Sequence, residues 1–315
     1  MTSKWIVMLN YNVAEHCLRN LDALRTLPDV GIFFVDNCSS PADYALLRAG
    51  CESNGGWLLD SNAALNIDSI AVRLAAGPHL ILLRNETNLG YSGGNNAALR
   101  MLDAVLHGRG QYLIVNPDVF ISALTATALL DNEAELCGPA IYEHWRQGLA
   151  TDDLAKDFAT GFSTRAAPNR RRVNILHGSC FKVSGSALAK YGFLPDDNFL
   201  YEEEVRYFER VHRLGGTPVY LDQLQVEHIG KASTRKLSYI YFYYIFRNRL
   251  SYFIEIGGPH YRRYGRFWFL YCSWAQDVIR SQARKRNWAG IRGLVRGVWD
   301  GLRGIKGPLP RSSRD

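Results

Sequence analysis

The densest group of ionisable side chains in this sequence is a run of carboxylates between residues 196 and 204. Its members are Asp196, Asp197, Glu202, Glu203 and Glu204. Glutamates in the first turn of a helix are favoured by the helix dipole, so a solvated helix start is one explanation. The apolar stretch 199–201 favours another, because an aromatic wall desolvates a nearby carboxylate and raises its pKa. The run therefore predicts that one of these carboxylates is a general base.

Two residues far apart in the sequence have chemistry suited to a divalent cation. Asp118 follows a strand-like segment and a proline, so a stiff turn holds its carboxylate at the edge of a sheet. His228 ends another strand-like segment and offers a nitrogen to the same ion, and an imidazole favours Mn²⁺ over Mg²⁺. Taken singly, an Asp in a turn is usually a cap, and a strand-end histidine is as readily a hydrogen-bonding residue. Together they predict a metal site.

The glycine-rich segment 88–96, NLGYSGGNN, predicts a tight turn that feeds a helix. Glycines in such a turn let backbone N–H groups approach a ligand, and a helix N-terminus favours an anion such as a diphosphate. A plain glycine-rich cap, with Asn95 at the cap position, explains the same residues equally well. The segment alone is a weak signal.

Short apolar runs that alternate with helical stretches must position these residues. The predicted strands are 5–9, 32–35, 79–83, 112–115, 218–221 and 224–228, and the predicted helices lie near 14–26 and 95–107. Such alternation indicates an α/β fold with a Rossmann-like, mostly parallel central sheet flanked by helices. Residues 52–78 and 143–172 are predicted to be an irregular insertion and a polar excursion.

Polar clusters follow three of these strands. They are Asn10-Tyr11-Asn12, the segment 36–40 (DNCSS) and Asn116-Pro117-Asp118. Ligands bind beyond the carboxyl ends of strands in open α/β sheets, so these clusters predict one binding edge.

Composition and charge narrow the class of protein. The six cysteines include no C-x-x-C pair, which argues against a zinc site or a disulfide framework and favours a reducing compartment. The net charge of +7 is uneven, because residues 247–315 hold 15 Lys and Arg against 4 Asp and Glu. A basic, aromatic-rich tail suits an anionic lipid surface or nucleic acid, whereas the acidic remainder argues against nucleic acid.

The ordered motifs in residues 4–250 resemble the family 2 glycosyltransferases of the GT-A fold. The resemblance is greatest to the rhamnosyltransferase-like branch of bacterial surface-polysaccharide and lipopolysaccharide synthesis. It rests on Asn10-Tyr11-Asn12, VDNCSS at 35–40, NLGYSGGNNAAL at 88–99, VNPD at 115–118, GFLPDDNFLYEEE at 192–204 and VEHIGKAS at 226–233. Each motif is weak alone, but their shared order is specific.

The resemblance implies an inverting, metal-dependent transfer of a sugar from a nucleotide-sugar donor to a glycan or lipid-linked acceptor. It implies L-rhamnose from dTDP-L-rhamnose first, with UDP-hexose or UDP-galactofuranose donors as the alternative. The implied donor-site residues are Asn10, Tyr11, Asn12, Asp36, Asn37, Asn88, Gly90, Gly93, Gly94, Asn95 and Asn116. Asp118 and His228 are implied to hold Mg²⁺ or Mn²⁺ against the donor diphosphate.

The implied base is Glu204, the second residue of the pair that follows the aromatic-Leu-Tyr stretch, with Glu203 as the alternative. The chain departs from the family pattern here, because Glu204 stands where Asp is expected and Arg206 replaces another Asp. The stretch ending in Arg247-Asn248 is similar to the family's YY-x-x-RN segment. Arg247 is interpreted as a phosphate contact or, equally, as a structural residue.

The C-terminal part, 239–315, is expected to form a helical, membrane-proximal extension of a catalytic domain at 1–238. Its apolar residues Trp288, Ile291, Val295, Val298, Leu302 and Ile305 recur at helical spacing between basic residues. This pattern predicts an amphipathic interfacial helix, weakened by five glycines to the point of forming only on a surface. Packing on the catalytic domain, or on a second subunit in a homodimer, is the alternative. No apolar run is long enough to span a bilayer. The expected location is therefore the cytoplasm, peripheral on the inner face of the cytoplasmic membrane.

Two other classes compete with this prediction. A nucleotidyltransferase shares the core, but the first strand lacks the glycine-rich loop with lysine typical of that class. A degenerate, non-enzymatic membrane or nucleic-acid-binding scaffold would explain the departures at Glu204 and Arg206. The retained Asp118, Glu203 and His228 argue against it.

Overall fold

The computed structural model describes residues 3–60, 70–72, 74, 80–145, 147–150, 154–163, 173–230, 238–256 and 261–309. Its strands are β1 (Lys4–Asn10), β2 (Val30–Asp36), β3 (Trp57–Asp60), β4 (Leu80–Arg84), β5 (Gln111–Val115), β6 (Val119–Phe120), β7 (Leu136–Glu143), β8 (Gly148–Leu149), β9 (Cys180–Ser184) and β10 (Val219–His228). Its helices are α1 (Ala14–Leu24), α2 (Pro41–Ser53), α3 (Gly90–Leu106), α4 (Ala123–Asp131), α5 (Gly185–Tyr191), α6 (Glu203–Arg213), α7 (Ser238–Ile256), α8 (Tyr261–Arg284) and α9 (Trp288–Leu302).

The strands form one sheet in the order β3-β4-β2-β1-β5-β9-β7-β10-β6, and β8 pairs with β7. Neighbours from β3 to β5 are parallel, as are β7 and β10. The strand β9 runs antiparallel to both of its neighbours. The mixed α/β architecture with a mostly parallel central sheet is therefore confirmed.

The apolar runs of the parallel strands are buried on both faces, as strands covered by helices on each side must be. Along β1, Trp5 and Val7 enter one core while Ile6 and Met8 enter the other. Serine caps define several helix starts, since Ser40, Ser122 and Ser184 each accept a hydrogen bond from the amide three residues on.

Several predicted elements differ from those observed. Residues 57–60, placed in an irregular insertion, form the edge strand β3. The predicted strands 218–221 and 224–228 are one strand, β10, with an irregularity between Leu221 and Gln225. Strands β7 and β9 were not predicted, because Gly138 and Pro139 interrupt one and Lys182 the other. Lys182 is buried there because its ammonium donates to the carbonyls of Asn132 and Ala134.

The C-terminal helices pack against one another and against the sheet domain. Phe246 and Phe253 of α7 share an apolar cluster with Phe267 and Tyr271 of α8. Tyr252 of α7 belongs to the main core and donates to the carbonyl of Phe158. The helix α7 begins near the predicted boundary at 238/239, and the division into two domains there stays a prediction. In the described part of the chain, no helix is long and apolar enough to cross a membrane.

The predicted amphipathic helix is present as α9, and its glycines lie at the contact with α7. Gly293 and Gly297 face α7, where a Cβ atom would overlap the carbonyl oxygens of Tyr239 and Tyr243. The glycines therefore allow two helices to pack at close range, which stabilises α9 against the protein itself.

Candidate active site

The sheet topology gathers the ends of several strands at one edge. Strands β1, β2, β4, β5, β7 and β10 run in the same direction, so their carboxyl ends lie together. Because β9 runs the opposite way, its beginning lies at that same edge, between β5 and β7. The residues that follow β5 and precede β9 are joined there, since the amide of Asn116 donates to the carbonyl of Ser179 at 2.8 Å.

A cluster of two histidines and two carboxylates occupies this edge, and we call it the His–carboxylate cluster. The Nε2 atom of His228 lies 3.5 Å from Asp118, and its Nδ1 atom lies 3.5 Å from Glu143. The Nε2 atom of His177 lies 3.7 Å from the same oxygen of Glu143. Ligand atoms of Glu143, His177 and His228 lie within 4.8 Å of one another. Imidazole and carboxylate donors this close fit a divalent cation such as Mn²⁺ or Zn²⁺.

The charges of the cluster favour a positive species at its centre. Burial opposes protonation of His228, but the nearby carboxylates of Asp118 and Glu143 outweigh it and raise its pKa to about 9. Two carboxylates thus stabilise a proton here, and they would stabilise a metal ion by the same attraction. His177 is oriented by Ser179, whose hydroxyl lies 2.7 Å from Nδ1 and whose amide donates to it.

The three consecutive glutamates before and in α6 have three different environments. Glu202 is buried and accepts two hydrogen bonds from Arg249, at 2.7 and 2.6 Å. Glu203 is buried as well, and its Oε1 atom has no hydrogen-bond partner among the described residues. Glu204 is half-buried. Only Glu204 of the three is partly open to solvent.

Glu204 faces the loop that carries His177. Its carboxylate lies 3.6–3.7 Å from where a Cβ atom on Gly178, the next residue, would stand. Tyr91 of α3 contacts the same loop, since its hydroxyl donates to the carbonyl of Gly178. Burial raises the pKa of Glu204, and the charge of Glu202 adds to this effect, whereas His177 lowers it. A carboxylate with a raised pKa beside the His–carboxylate cluster has the properties of a general base.

The donor-site residues predicted at the ends of β1 and β2 divide into a buried and an exposed group. Asn10 and Asp36 are completely buried and hydrogen-bonded to each other at 2.9 Å. The Nδ2 atom of Asn37 donates to Asn88 and Gly90, and its Oδ1 atom accepts from Asn85 and Leu89. Tyr11 and Asn12 are exposed at the surface of the edge. The buried residues Asn10, Asp36 and Asn37 therefore hold the edge in shape. The exposed Tyr11 and Asn12 are placed to contact a ligand.

Sequence reasoning missed Arg84 at this edge. It ends β4, lies 3.9 Å from Asp36, and stacks its guanidinium 3.8 Å above the ring of Tyr44. A half-exposed arginine at a strand end fits a phosphate or a nucleobase. The same strand-end rule that selected Asp36 could have found it.

The glycine-rich segment differs from its prediction. The helix α3 begins at Gly90, so Gly93 and Gly94 lie within its first two turns, where Gly94 allows close contact with Leu9. The first amides are already bonded, because that of Gly90 donates to Asn88 and that of Tyr91 to the carbonyl of Phe199. Asn95 is buried and donates to the carbonyl of Tyr91. The N-cap of α3 is Leu89, without a side-chain cap hydrogen bond, so Asn95 is not the cap, and diphosphate binding by this segment stays a prediction.

Arg247 does not face the edge. It is completely buried and donates to the carbonyls of Asn198 and Gly307 at 2.6 and 2.7 Å, which supports the structural interpretation over the phosphate contact. Arg206, the departure from the family pattern, is explained by an ion pair at 2.7 Å with Glu255 of α7. Both arginines join the glutamate-bearing segment to the C-terminal helices.

Comparison with solved structures identifies this architecture. A mannosyltransferase from Pyrobaculum calidifontis, solved with GDP-Man and Mn²⁺, aligns over 95% of this chain and 87% of its own, with a TM-score of 0.52 and 13% identity. The chain has the GT-A fold. The resemblance to glycosyltransferases of this fold, expected from the sequence, is confirmed.

Curated relatives of this GT-A chain carry glycosyltransferase names. A low-salt glycan biosynthesis hexosyltransferase of Haloferax volcanii, Agl10, is 30% identical over 139 residues, which are 40% of this chain and 44% of the relative. An N-acetylglucosaminyl-diphospho-decaprenol L-rhamnosyltransferase of Mycobacterium tuberculosis is 27% identical over 187 residues, 50% of this chain and 61% of the relative. The chain thus spans about half the length of the curated relatives it matches. No family model matches it.

Proposed function

We propose that this chain is a glycosyltransferase that moves a sugar from a nucleotide-sugar donor to a hydroxyl of a glycan or lipid-linked acceptor. The observation that carries the proposal is the position of Glu204 beside Gly178, next to His177 of the His–carboxylate cluster. A base close to a cation site is what a displacement at a sugar carbon with a diphosphate leaving group requires. The names of the relatives support the same reaction class.

The residues divide the chemistry between them. Glu204 takes the proton of the acceptor hydroxyl while that oxygen attacks the anomeric carbon. The bond to the donor diphosphate breaks on the opposite face, so a single displacement inverts the configuration of this carbon. Asp118, Glu143, His177 and His228 would hold Mg²⁺ or Mn²⁺, which neutralises the charge of a leaving nucleoside diphosphate.

The donor proposed first is dTDP-L-rhamnose, because the motifs resemble the rhamnosyltransferase-like branch and one relative is named a rhamnosyltransferase. A UDP-hexose or UDP-galactofuranose transferase remains the alternative. A panel of dTDP, UDP, GDP and CDP, each with Mn²⁺ or Mg²⁺, tests this choice by the melting temperature, which rises for a ligand that binds only the folded state. A metal-dependent rise with dTDP supports the proposal, and a rise with UDP alone supports the alternative. No rise with any nucleotide contradicts a transferase and favours a degenerate scaffold.

We also propose that the acceptor is lipid-linked and that the chain works on an anionic membrane surface. The face of α9 opposite α7 carries Trp288, Val295, Trp299 and Leu302, each more than half exposed. We call these four residues the α9 apolar face. The exposed Arg292 and Arg303 flank it. Indole rings beside guanidinium groups suit the headgroup region of a bilayer that contains anionic lipid.

A further inference from the structure

The loop that leads into α6 has a backbone that its own residues do not favour. Phe199, Tyr201 and Glu202 have φ angles of 72°, 66° and 73°, in the left-handed region that side-chain-bearing residues seldom adopt. Three such residues within four positions do not hold this shape by local preference. Contacts from elsewhere must hold the loop, and Glu203 and Glu204 follow it directly.

Asn248 of α7 supplies the most concentrated of these contacts. Its side-chain amide lies 3.2, 2.6 and 3.0 Å from the carbonyl oxygens of Asn198, Leu200 and Tyr201, and donates to all three. The Oδ1 atom of Asn248 accepts from Nε of Arg247 at 2.8 Å, which fixes the direction of the amide group. The side chain is almost completely buried. The side-chain amide of Asn248 thus binds three carbonyl oxygens of the loop.

The residues on either side of Asn248 contact the same loop. Arg247 donates to the carbonyl of Asn198, and Arg249 forms the two-bonded ion pair with Glu202. Three successive helical residues span about 200° around a helix axis, so the loop wraps around α7 here. Gly90 supports the loop from the other side, where a Cβ atom would overlap the carbonyl of Phe199.

We propose that Arg247, Asn248 and Arg249, which we call the α7 clamp, are positioning residues that fix the 198–202 loop and through it Glu204. The inference deepens the proposed function, because it takes Glu204 as the base of the transfer. It assigns the first C-terminal helix to the active site, although this helix lies in the predicted extension. The clamp touches neither donor nor acceptor, so it should affect the turnover step and not donor binding.

Asn248→Ala tests the clamp, with Ser251→Ala as the matched control. Ser251 is buried one turn further along α7, and its hydroxyl has no hydrogen-bond partner among the described residues. Hydrogen–deuterium exchange reports the loop, titration with dTDP and with UDP in the presence of Mn²⁺ reports nucleotide binding, and steady-state release of dTDP from dTDP-L-rhamnose reports turnover.

For Asn248→Ala we expect at least tenfold faster amide exchange in residues 199–204 and a kcat about 100-fold lower, since a misplacement of about 1 Å costs a factor of this size. KM for the donor and both nucleotide dissociation constants should stay within twofold, and Ser251→Ala should match the unmodified chain throughout. Unchanged exchange in the loop, unchanged kcat, or an equal loss in Ser251→Ala would overturn the proposal.

The isosteric Asn248→Asp keeps the shape but removes the donor, and serves if the alanine variant is unstable. Loss of protection along the whole chain in both variants would assign Asn248 to general stability and overturn the positioning role. If the unmodified chain binds neither nucleotide and releases no dTDP, the proposed function fails. In that case, hydrogen–deuterium exchange of the 198–202 loop in Asn248→Ala still tests whether the α7 clamp holds the loop.

Discussion

At the scale of single residues, three adjacent glutamates show how environment assigns roles to identical side chains. Glu202 is neutralised by Arg249, Glu203 is buried with one oxygen that has no hydrogen-bond partner among the described residues, and Glu204 is half-buried beside Gly178. Burial and the charge of Glu204 raise the pKa of Glu203 well above its usual range. Glu203 is also less accessible to an acceptor than the half-buried Glu204. These environments support Glu204, rather than Glu203, as the proposed base.

Replacing Glu204 by Gln should remove the base and little else. We expect kcat to fall by about 10²–10⁴, the usual contribution of general base catalysis, with nucleotide binding unchanged. Glu203→Gln, one position away, should retain most of the activity. Steady-state kinetics with calorimetric nucleotide titration measures both. A fully active Glu204→Gln protein would move the base to Glu203 or elsewhere.

Glu203→Gln should also change stability in a pH-dependent way. Since the pKa of Glu203 is raised on folding, the folded state holds this proton more tightly than the unfolded state. Ionisation of Glu203 therefore costs stability as pH rises above the ordinary glutamate value, and the cost vanishes below it, where both states are protonated. We expect the variant to gain stability relative to the unmodified protein as the pH rises from 4.5 to 8, because a Gln side chain does not ionise.

Denaturant unfolding at pH 8 and pH 4.5 measures this difference. The gain should shrink toward pH 4.5. A gain that is equal at both pH values, or larger at the lower one, would show that Glu203 is not the titrating group.

Glu143 and His177 of the His–carboxylate cluster were not predicted from the sequence. Of the two, His177 gives a prediction about the affinity for a cation. His177→Ala removes one of the closely spaced ligands and should weaken Mn²⁺ binding by about 10–100-fold. His144→Ala is the control, because His144 is an exposed histidine paired with Glu227 at 3.1 Å. Calorimetric titration with Mn²⁺ compares them. Equal Mn²⁺ affinity in the His177→Ala and unmodified proteins would exclude His177 as a ligand.

At the scale of elements, a site residue could be predicted from the sequence wherever an apolar strand segment is followed closely by a polar residue. Asp118 and His228 were selected by this rule, and they lie 3.5 Å apart. Glu143 obeys the same rule, whereas His177 precedes the antiparallel strand β9, and both strands were hidden by internal Gly, Pro or Lys residues.

The neighbours of a strand are a property of the whole sheet. Strand β9 lies between β5 and β7 although it follows β7 along the chain, and no local pattern encodes that order. The contacts of Arg247 could not be predicted for a related reason, since its carbonyl partners Asn198 and Gly307 are distant in sequence. Local rules thus found the ends of strands, and long-range pairing determined which of those ends meet.

Because α9 packs closely on α7, we expect two glycine-to-alanine substitutions to have opposite effects on the stability of the protein. Gly297→Ala places a methyl group against the carbonyl of Tyr243 and should destabilise the protein by about 1–3 kcal/mol. Gly265→Ala, in α8, meets no atom within 4 Å and should stabilise by up to about 1 kcal/mol through helix propensity. Thermal unfolding of both variants tests the close contact. Stabilisation by Gly297→Ala would mean that the two helices do not pack in this way.

At the scale of the whole molecule, the charge asymmetry has a structural counterpart. The active-site edge collects carboxylates around Asp118 and Glu143, whereas residues 247–315 carry an excess of 11 positive charges. The helix α9 turns its glycines toward α7 and the α9 apolar face away from it. An enzyme with a lipid-linked acceptor would gain from such a surface, because it would remain beside its substrate between turnovers.

The combined Trp288→Ser and Trp299→Ser variant tests this arrangement without disturbing the glycine contact. We expect its binding to vesicles with phosphatidylglycerol to be at least tenfold weaker, because two indole rings no longer enter the headgroup region. Leu124→Ser on α4 also removes an exposed apolar side chain and should bind as the unmodified protein does. Vesicle sedimentation at low and high salt separates the apolar from the electrostatic contribution to binding, since salt screening weakens the attraction of the flanking arginines to anionic lipid. Binding by the double variant that equals the unmodified protein would place the membrane contact elsewhere, whereas no vesicle binding by the unmodified chain would leave the α9 apolar face to a second subunit.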